Sequence, residues 1–460
     1  MLYYFTRSII ELSLRGFFRN IDILDRQNIL KKGPVIYVVN HPSALMDPLM
    51  VSITVRQKLH FLAAAEYCGT GGLKSWLLKD QFNMIPVYRP NLYEGQEVDN
   101  DSMFRHCYER LEKGGSILIF PEGNSVTENR LRNLKTGVVR ILLGARRKSP
   151  GIDVKIVPLG LNYEDHHRFH SDVLIKIGAP MSYTDFPIKE SDTEEEKVKK
   201  ITGFIEARLQ EQILHIEDPE LDPVFSHIDD VFKQEMVKTS HKDQSLAARF
   251  RIQKDIIHAI SHFKKASNQN SDEIKSLLTS YFKKCKALGL RQSIHRSNTR
   301  MEKVLRSLKL FLLTPFFIAG ALICAGPYFL TKRIYKKTYL PRLQSQDHSK
   351  PISPAFAGSI AFAIGTLLFL FWFLLLSITF GLFTSWWMGV FFFFGSYFLG
   401  QISLRATSLG FEVLQGFRQQ KIVRKYPNET AEIIEMRKAL LESLGEYQKS
   451  YLAEKELVRS

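Results

Sequence analysis

At 460 residues the chain is long enough for two or three domains and a sizeable core. Its formal net charge of +16 suits a polyanionic partner: an anionic lipid surface, a phosphorylated substrate or nucleic acid. Four widely separated cysteines (Cys68, Cys107, Cys285 and Cys324), with no Cys-x-x-Cys or Cys/His zinc spacing, exclude a disulfide scaffold and fit a reducing compartment.

The opening stretch "MLYYFTRSIIELSLRGFFRN" is no secretory signal, because Arg7, Glu11 and Arg15 interrupt it and no small-residue cleavage site follows. Aromatic residues mixed with arginine predict an interfacial helix within residues 1–31, with packing on the main domain as the alternative. Residues 32–184 read as an α/β domain. "PVIYVV", "HFLAAA", "SILIF", "VKIVPLGL" and "VLIKIG" are short apolar runs rich in Val, Ile and Leu, and helical patterns lie between several of them. That alternation predicts a mostly parallel sheet flanked by helices. Residues 185–305 read as a helical insert, opening on a helix whose apolar face is Ile201, Phe204, Ile205, Leu209 and Ile213.

Residues 306–404 form a membrane region. Its first segment, 310–330, has no charge and is just long enough to cross a bilayer core of ~30 Å, but it carries Pro315, Gly320, Gly326 and Pro327. A soluble core helix is the other reading. Residues 354–404 hold no charged side chain and suit a transmembrane hairpin that breaks near Gly381 to Trp386. A charged helical tail follows over 405–460. Basic residues flank every segment: Arg300, Lys303, Arg306 and Lys309; Lys332, Arg333, Lys336, Lys337 and Arg342; Arg405, Arg418 and Lys421. Basic flanks stay cytoplasmic. All of them can do so only if 310–330 dips in and returns, leaving the α/β domain on the cytoplasmic face.

Two stretches carry chemistry. In "VVNHPSALMDPLM" a buried strand runs into Asn40-His41-Pro42-Ser43, at the carboxyl end where open α/β sheets place ligands. Asp47-Pro48 then reads as a helix start, with Asp as N-cap. A loop can fold His41 against Asp47. The carboxylate would set the imidazole tautomer and leave the other nitrogen to take a proton from an alcohol. A structural cap beside a chance histidine is the bland alternative. "SILIFPEGNSVTENRLRNLKTG" supplies Glu122, Gly123, Asn124 and Ser125 after a second strand, followed by Arg130, Arg132 and Lys135, and "MIPVYRP" supplies Arg89. Backbone donors and arginines in loops suit a phosphate.

These blocks give the chain a resemblance to the glycerolipid acyltransferase family. "NHPSALMD", "IPVYRP", "FPEGNS" and "VKIVPLGLNY" match that family's four blocks in order, over roughly residues 30–182. The chain departs from the common pattern in having five residues between His41 and Asp47 rather than four, and Asn124-Ser125 where Thr-Arg is usual. Both departures, and "LNYEDHHRFHS", resemble the branch with yeast-type glycerol-3-phosphate/dihydroxyacetone-phosphate acyltransferases. Arg130 or Lys135 is then left to replace the missing arginine. The resemblance implies His41 as general base, Asp47 as its partner, and Arg89 with the Glu122 block on the glycerol phosphate. It also implies a fatty acyl thioester on coenzyme A or acyl carrier protein as co-substrate, membrane lipids as surroundings, and no cofactor, metal or nucleic acid.

The acceptor stays open between glycerol 3-phosphate or dihydroxyacetone phosphate, at the first hydroxyl, and lysophosphatidic acid, giving phosphatidic acid. A non-catalytic membrane scaffold is the rival of another class. His166, His167 and His170 lack carboxylate or cysteine spacing for a metal and read as a solvated loop, and Cys285 in "KKCK" reads as part of a basic helix.

Overall fold

The structure is a computed structural model describing residues 2–55, 57–68, 71–88, 100–239, 245–266, 268–290, 300–344 and 353–457. The chain divides into two compact units. One comprises Met1–His215 with Tyr335–Ala363, the other Ile216–Ile334 with Ile364–Ser460.

The first unit is built on a seven-stranded sheet: β1 Asn20–Leu24, β2 Val35–Val39, β3 Leu59–Ala64, β4 Met84–Val87, β5 Ser116–Ile119, β6 Lys155–Tyr163 and β7 Asp172–Ile177, in the order β1-β7-β6-β2-β5-β3-β4. All neighbours are parallel except β6 and β7. This is the mostly parallel α/β sheet that the apolar runs predict. β2 is central and wholly buried. Its alternate residues serve opposite faces, as a period of two requires. Ile36 and Val38 meet the helices Asp101–Glu112, Gly137–Lys148 and Glu194–Gln210. Val35, Tyr37 and Val39 meet Leu14, Phe17, Met50 and Val51 of the helices Leu2–Phe17 and Met46–Thr54. Burial on both faces explains why β2 is a continuous apolar run rather than an alternating one.

Two expected boundaries move. The sheet starts at Asn20, inside the stretch read as an interfacial helix, because β1 pairs in parallel with β7. Arg19 pins this edge with Nε and Nη2 on the two carboxylate oxygens of Asp172, at 2.9 and 2.6 Å. The N-terminal helix buries Leu14 and Phe17 and leaves Tyr4 and Phe5 exposed. At the other end, the helix Glu194–Gln210 belongs to the sheet unit. Thr193 caps it reciprocally with Glu196, and its predicted face seals the sheet through Ile201, Ile205 and Leu209.

In the second unit the helices Asp222–Thr239, Leu246–Ala266 and Asn268–Ala287 share a core with the C-terminal helix Pro427–Leu457, through Ile228, Val231, Leu278, Tyr281, Ile433 and Leu440. The charged tail therefore supplies one helix of a bundle whose other three come from the insert, and Cys285 is buried within it.

Among the described residues three helices are long and apolar enough to cross a bilayer, which marks a membrane protein. Arg300–Ile334 runs without a break for 35 residues, about 50 Å at ~1.5 Å per residue, despite Pro315 and Pro327. The helix shows no break within 310–330, the segment expected either to dip in and return or to span. Its carbonyls past Pro315 are met from outside: Ser403 Oγ donates to Phe317 O at 3.3 Å, and Trp372 Nε1 to Ile323 O at 2.8 Å. Gly320 lets the backbone of Leu399 come so near that a Cβ would sit 2.3 Å from its carbonyl oxygen. Such small-residue contacts pack helices in lipid, where burial from water contributes little. The hairpin is Ala357–Phe383 and Trp386–Lys425, breaking at Thr384–Ser385 as expected. Outward-facing Leu382, Phe383, Trp386 and Phe391 suit acyl chains.

Candidate active site

Because β5, β2 and β6 are adjacent and parallel, their carboxyl ends open side by side. Asn40 locks the end of β2 to β6, its amide donating to Leu161 O at 3.0 Å and accepting from Leu161 N at 2.8 Å. The next residue, His41, stacks on Phe120 past the end of β5, with ring centroids 4.1 Å apart. The chain then turns through Ala44, whose φ of 44° is rare for a residue with a Cβ and typical of a strained functional turn.

His41 Nδ1 lies 2.8 Å from Asp47 Oδ2. Asp47 is not the N-cap that its Asp-Pro pair predicts: Leu45 holds that place, and Asp47 sits within the first turn of Met46–Thr54. Its carboxylate instead receives three donors. Besides the imidazole these are Ser43 N on Oδ2 at 2.8 Å and the Tyr163 hydroxyl on Oδ1 at 2.8 Å. Asp47 is fully buried, and hydrogen bonds from the protein replace its lost water. A buried carboxylate acceptor at Nδ1 places the neutral imidazole's proton there and leaves Nε2 as the base. The Tyr163 phenol is pushed well above its ordinary pKa by burial and then by Asp47, so it stays a donor.

Glu122 braces the same loop. Oε1 accepts from His41 N at 2.9 Å and Oε2 from Arg132 N at 3.2 Å. Burial raises its pKa, opposed by these two N–H groups and by the Arg132 guanidinium. Ser125 Oγ accepts from Ala44 N at 2.7 Å. Asn124 is exposed, and its carbonyl receives Arg132 Nη2 at 2.7 Å. Gly123 holds φ of 78°, and Lys135 lies across it: a Cβ at Gly123 would stand 2.5 Å from Lys135 Nζ.

A cavity of about 20 Å³, room for one water, is lined by Asn40, His41, Glu122, Arg130, Tyr163 and His166 among others. Arg130 pairs with Glu128 at 3.0 Å, while its Nε is buried with no partner among the described residues. Of the predicted site residues, the fold thus brings His41, Asp47, Glu122, Ser125 and Arg130 to one place, with Gly123 and Lys135 beside it. Arg89 lies outside the described residues. Among those residues no three His, Cys, Asp or Glu side chains converge as metal ligands.

Sequence reasoning placed Arg132 among the basic residues of the phosphate loop but did not single out Tyr163 or His166 as site residues. Tyr163 ends the apolar run of β6, the strand beside β2, and that adjacency was its one signal. His166 is not the solvated loop residue expected. Its Nδ1 is buried and burial lowers its pKa to about 4. His60 on β3, 7% exposed, is also lowered to about 4 by burial and then by Arg110. Both histidines are charged near pH 6.5 in the unfolded chain but only near 4 in the fold. Their contribution to stability is full above about pH 6.5 and is lost as pH falls through about 4. His60 alone accounts for roughly 3 kcal/mol of this loss. The unfolding midpoint is therefore expected to drop between about pH 7 and about pH 5. A midpoint flat over that range contradicts neutral burial of these rings.

Comparison with known proteins agrees with this geometry. An acyltransferase family profile matches residues 20–162, from β1 to the end of β6. Over 222 residues, 43% of this chain, it is 28% identical to glycerol-3-phosphate O-acyltransferase 1 of Saccharomyces cerevisiae. Over 123 residues, 25% of the chain, it is 31% identical to glycerol-3-phosphate O-acyltransferase 2 of the same yeast. Over 259 residues, 55% of the chain, it is 26% identical to an uncharacterised acyltransferase of Schizosaccharomyces pombe. The matches cover 28%, 16% and 37% of those relatives' own lengths. The His41–Asp47 pair thus sits within an acyltransferase domain, and the chain is similar over part of its length to the yeast glycerol-3-phosphate O-acyltransferases.

Proposed function

We propose that this protein is a membrane-bound O-acyltransferase of phospholipid synthesis. It moves a fatty acyl group from acyl-CoA or acyl-ACP to the sn-1 hydroxyl of glycerol 3-phosphate, or to the hydroxyl of dihydroxyacetone phosphate. The observation that carries this reading is the 2.8 Å contact of His41 with a fully buried Asp47, at the mouth of a cavity that also holds Arg130.

His41 Nε2 takes the acceptor's hydroxyl proton as the oxygen attacks the thioester carbon. The new C–O bond forms, and the carbonyl oxygen carries the negative charge. As the carbonyl re-forms, the C–S bond breaks and the imidazolium returns its proton to the thiolate. Asp47 stabilises the cation between the two transfers, and no acyl-enzyme is needed. The unpartnered Arg130 Nε, beside the His41–Glu122 loops, supports a phosphate contact at this site once the acceptor displaces the Arg130 side chain from its present packing.

Initial rates with one acyl-CoA and three acceptors test the substrate. The kcat/KM is expected to be higher for glycerol 3-phosphate and dihydroxyacetone phosphate than for lysophosphatidic acid. The reverse order moves the enzyme to the second acylation.

The sheet-bearing unit lies on the cytoplasmic face in this reading. Lys336, Lys337 and Arg342, in the 335–363 segment of that same unit, support it through the bias of basic residues to that side. Labelling of Leu340→Cys by an impermeant reagent from the opposite face would count against it.

A further inference from the structure

We propose that Ser359, in the first turn of the first hairpin helix, is a positioning residue for acyl transfer. Through it the head of a membrane helix holds the loop that carries His41 and Asp47. The inference rests on the acyl-transfer reading above.

Ser359 is 2% exposed. Its Oγ donates to Ser43 O at 3.0 Å and accepts from Met46 N at 3.0 Å. These two bonds bracket Ala44, the residue with φ of 44°. On its other side, the Ser43 amide donates to Asp47. The turn's own bond, Met46 N to Ser43 O at 3.0 Å, is thus braced at both ends by one hydroxyl, at the point that sets where the Asp47 carboxylate meets the His41 ring. The partners are separated by more than 300 residues of sequence, so no local propensity places them together. Ser125 is the matching clamp from the β5 side, through Ala44 N.

The rest of the helix head is fitted to the same place. Gly358 lies so close to the loop after β6 that a Cβ would stand 2.5 Å from His166 O. Phe362, 6% exposed, meets Phe17 edge-on with ring centroids 5.6 Å apart. Phe362 against Phe17 supplies apolar burial for docking the helix. A buried hydroxyl with both its donor and its acceptor roles directed to the catalytic loop is not needed for docking. It is what a rigid turn in an unfavourable conformation requires, because a loop free to relax loses the alignment on which the rate depends.

The test uses the full chain, purified in detergent, with wild type, His41→Ala, Ser359→Ala, and the near-isosteric pair Ser359→Thr and Ser359→Val assayed in parallel. Ser359→Ala is expected to lower kcat about tenfold or more, with both KM values within about twofold. The acid limb of its pH–rate profile should also move to lower pH, because a loosened Asp47 stabilises the His41 cation less. Thr is expected to restore rate and profile relative to Val.

If Ser359→Ala turns over as wild type with an unmoved profile, the proposal is overturned. Equal rates for Thr and Val overturn it too, and that comparison decides the matter should the alanine variant fail to fold. His41→Ala separates the two levels. Near-normal turnover in that variant removes the His41 mechanism on which the reading rests, whereas an inactive His41→Ala beside a fully active Ser359→Ala removes only the role of Ser359.

Discussion

His41→Ala is expected to lose acyl transfer by about 10²- to 10⁴-fold, the usual contribution of a general base. The loss should fall on kcat, and the protein should remain folded. The reason is local. The His41 ring is 19% exposed and packs on one face of Phe120, so its removal opens space beside the cavity rather than inside the core. Asp47→Ala should behave differently. That carboxylate is fully buried and receives Ser43 N and the Tyr163 hydroxyl besides the imidazole, so its loss leaves buried donors unpaired at about 1–3 kcal/mol each. Rates and thermal unfolding of the two variants therefore separate chemistry from scaffold. An acyl-transfer rate in folded His41→Ala within about threefold of wild type would remove His41 as the general base, and no acyl transfer by the wild type above background would mean the protein is the non-catalytic scaffold.

The second large effect is expected at Glu122. Its carboxylate accepts a backbone N–H on each oxygen, from His41 and from Arg132, so it acts as a tie between the loops after β2 and β5. Glu122→Gln keeps the shape but turns an amide NH₂ toward one of those two N–H donors. One buried hydrogen bond becomes a clash of donors, costing about 1–3 kcal/mol. If the clash falls at His41 N, the ring shifts with its backbone. A rate loss of about 10- to 100-fold is expected, since misplacing a reacting group by an ångström has effects of that size. The measurement is kcat together with the unfolding midpoint. Unchanged values for both would show that Glu122 does not hold the His41 backbone. The burial-raised pKa of Glu122 adds a condition: the tie depends on an ionised carboxylate with two free acceptors, so it weakens as pH falls toward that pKa.

Much of the fold was legible in the residues. β2 reads as a buried strand because five consecutive apolar side chains serve two covered faces. The hairpin reads as a hairpin because its length without charge exceeds one bilayer crossing. The face of the helix Glu194–Gln210 was legible too, but not its destination, since a 3.6-residue period says which side is buried and nothing about what covers it. The same limit applies to the C-terminal helix, whose partners lie about 150 to 200 residues back along the chain. The edge strand β1 was missed because five residues of mixed polarity, half-buried, resemble a loop until β7 pairs with them.

What the sequence by itself determined is the chemistry: an imidazole and a carboxylate six residues apart after an apolar run, a second loop with Glu122 and Gly123, and segments too apolar to remain in water. Residue type and short spacing are enough for that, because proton transfer and transfer from water to lipid are properties of side chains. What only the tertiary structure decided is the alignment. The Tyr163 hydroxyl on Asp47, Glu122 under the His41 backbone and Ser359 across the Ala44 turn come from separate elements. They meet because parallel strands open at one edge and because a helix head hundreds of residues away is buried against that edge. Contacts of that kind follow from packing across the chain, and no local pattern encodes them.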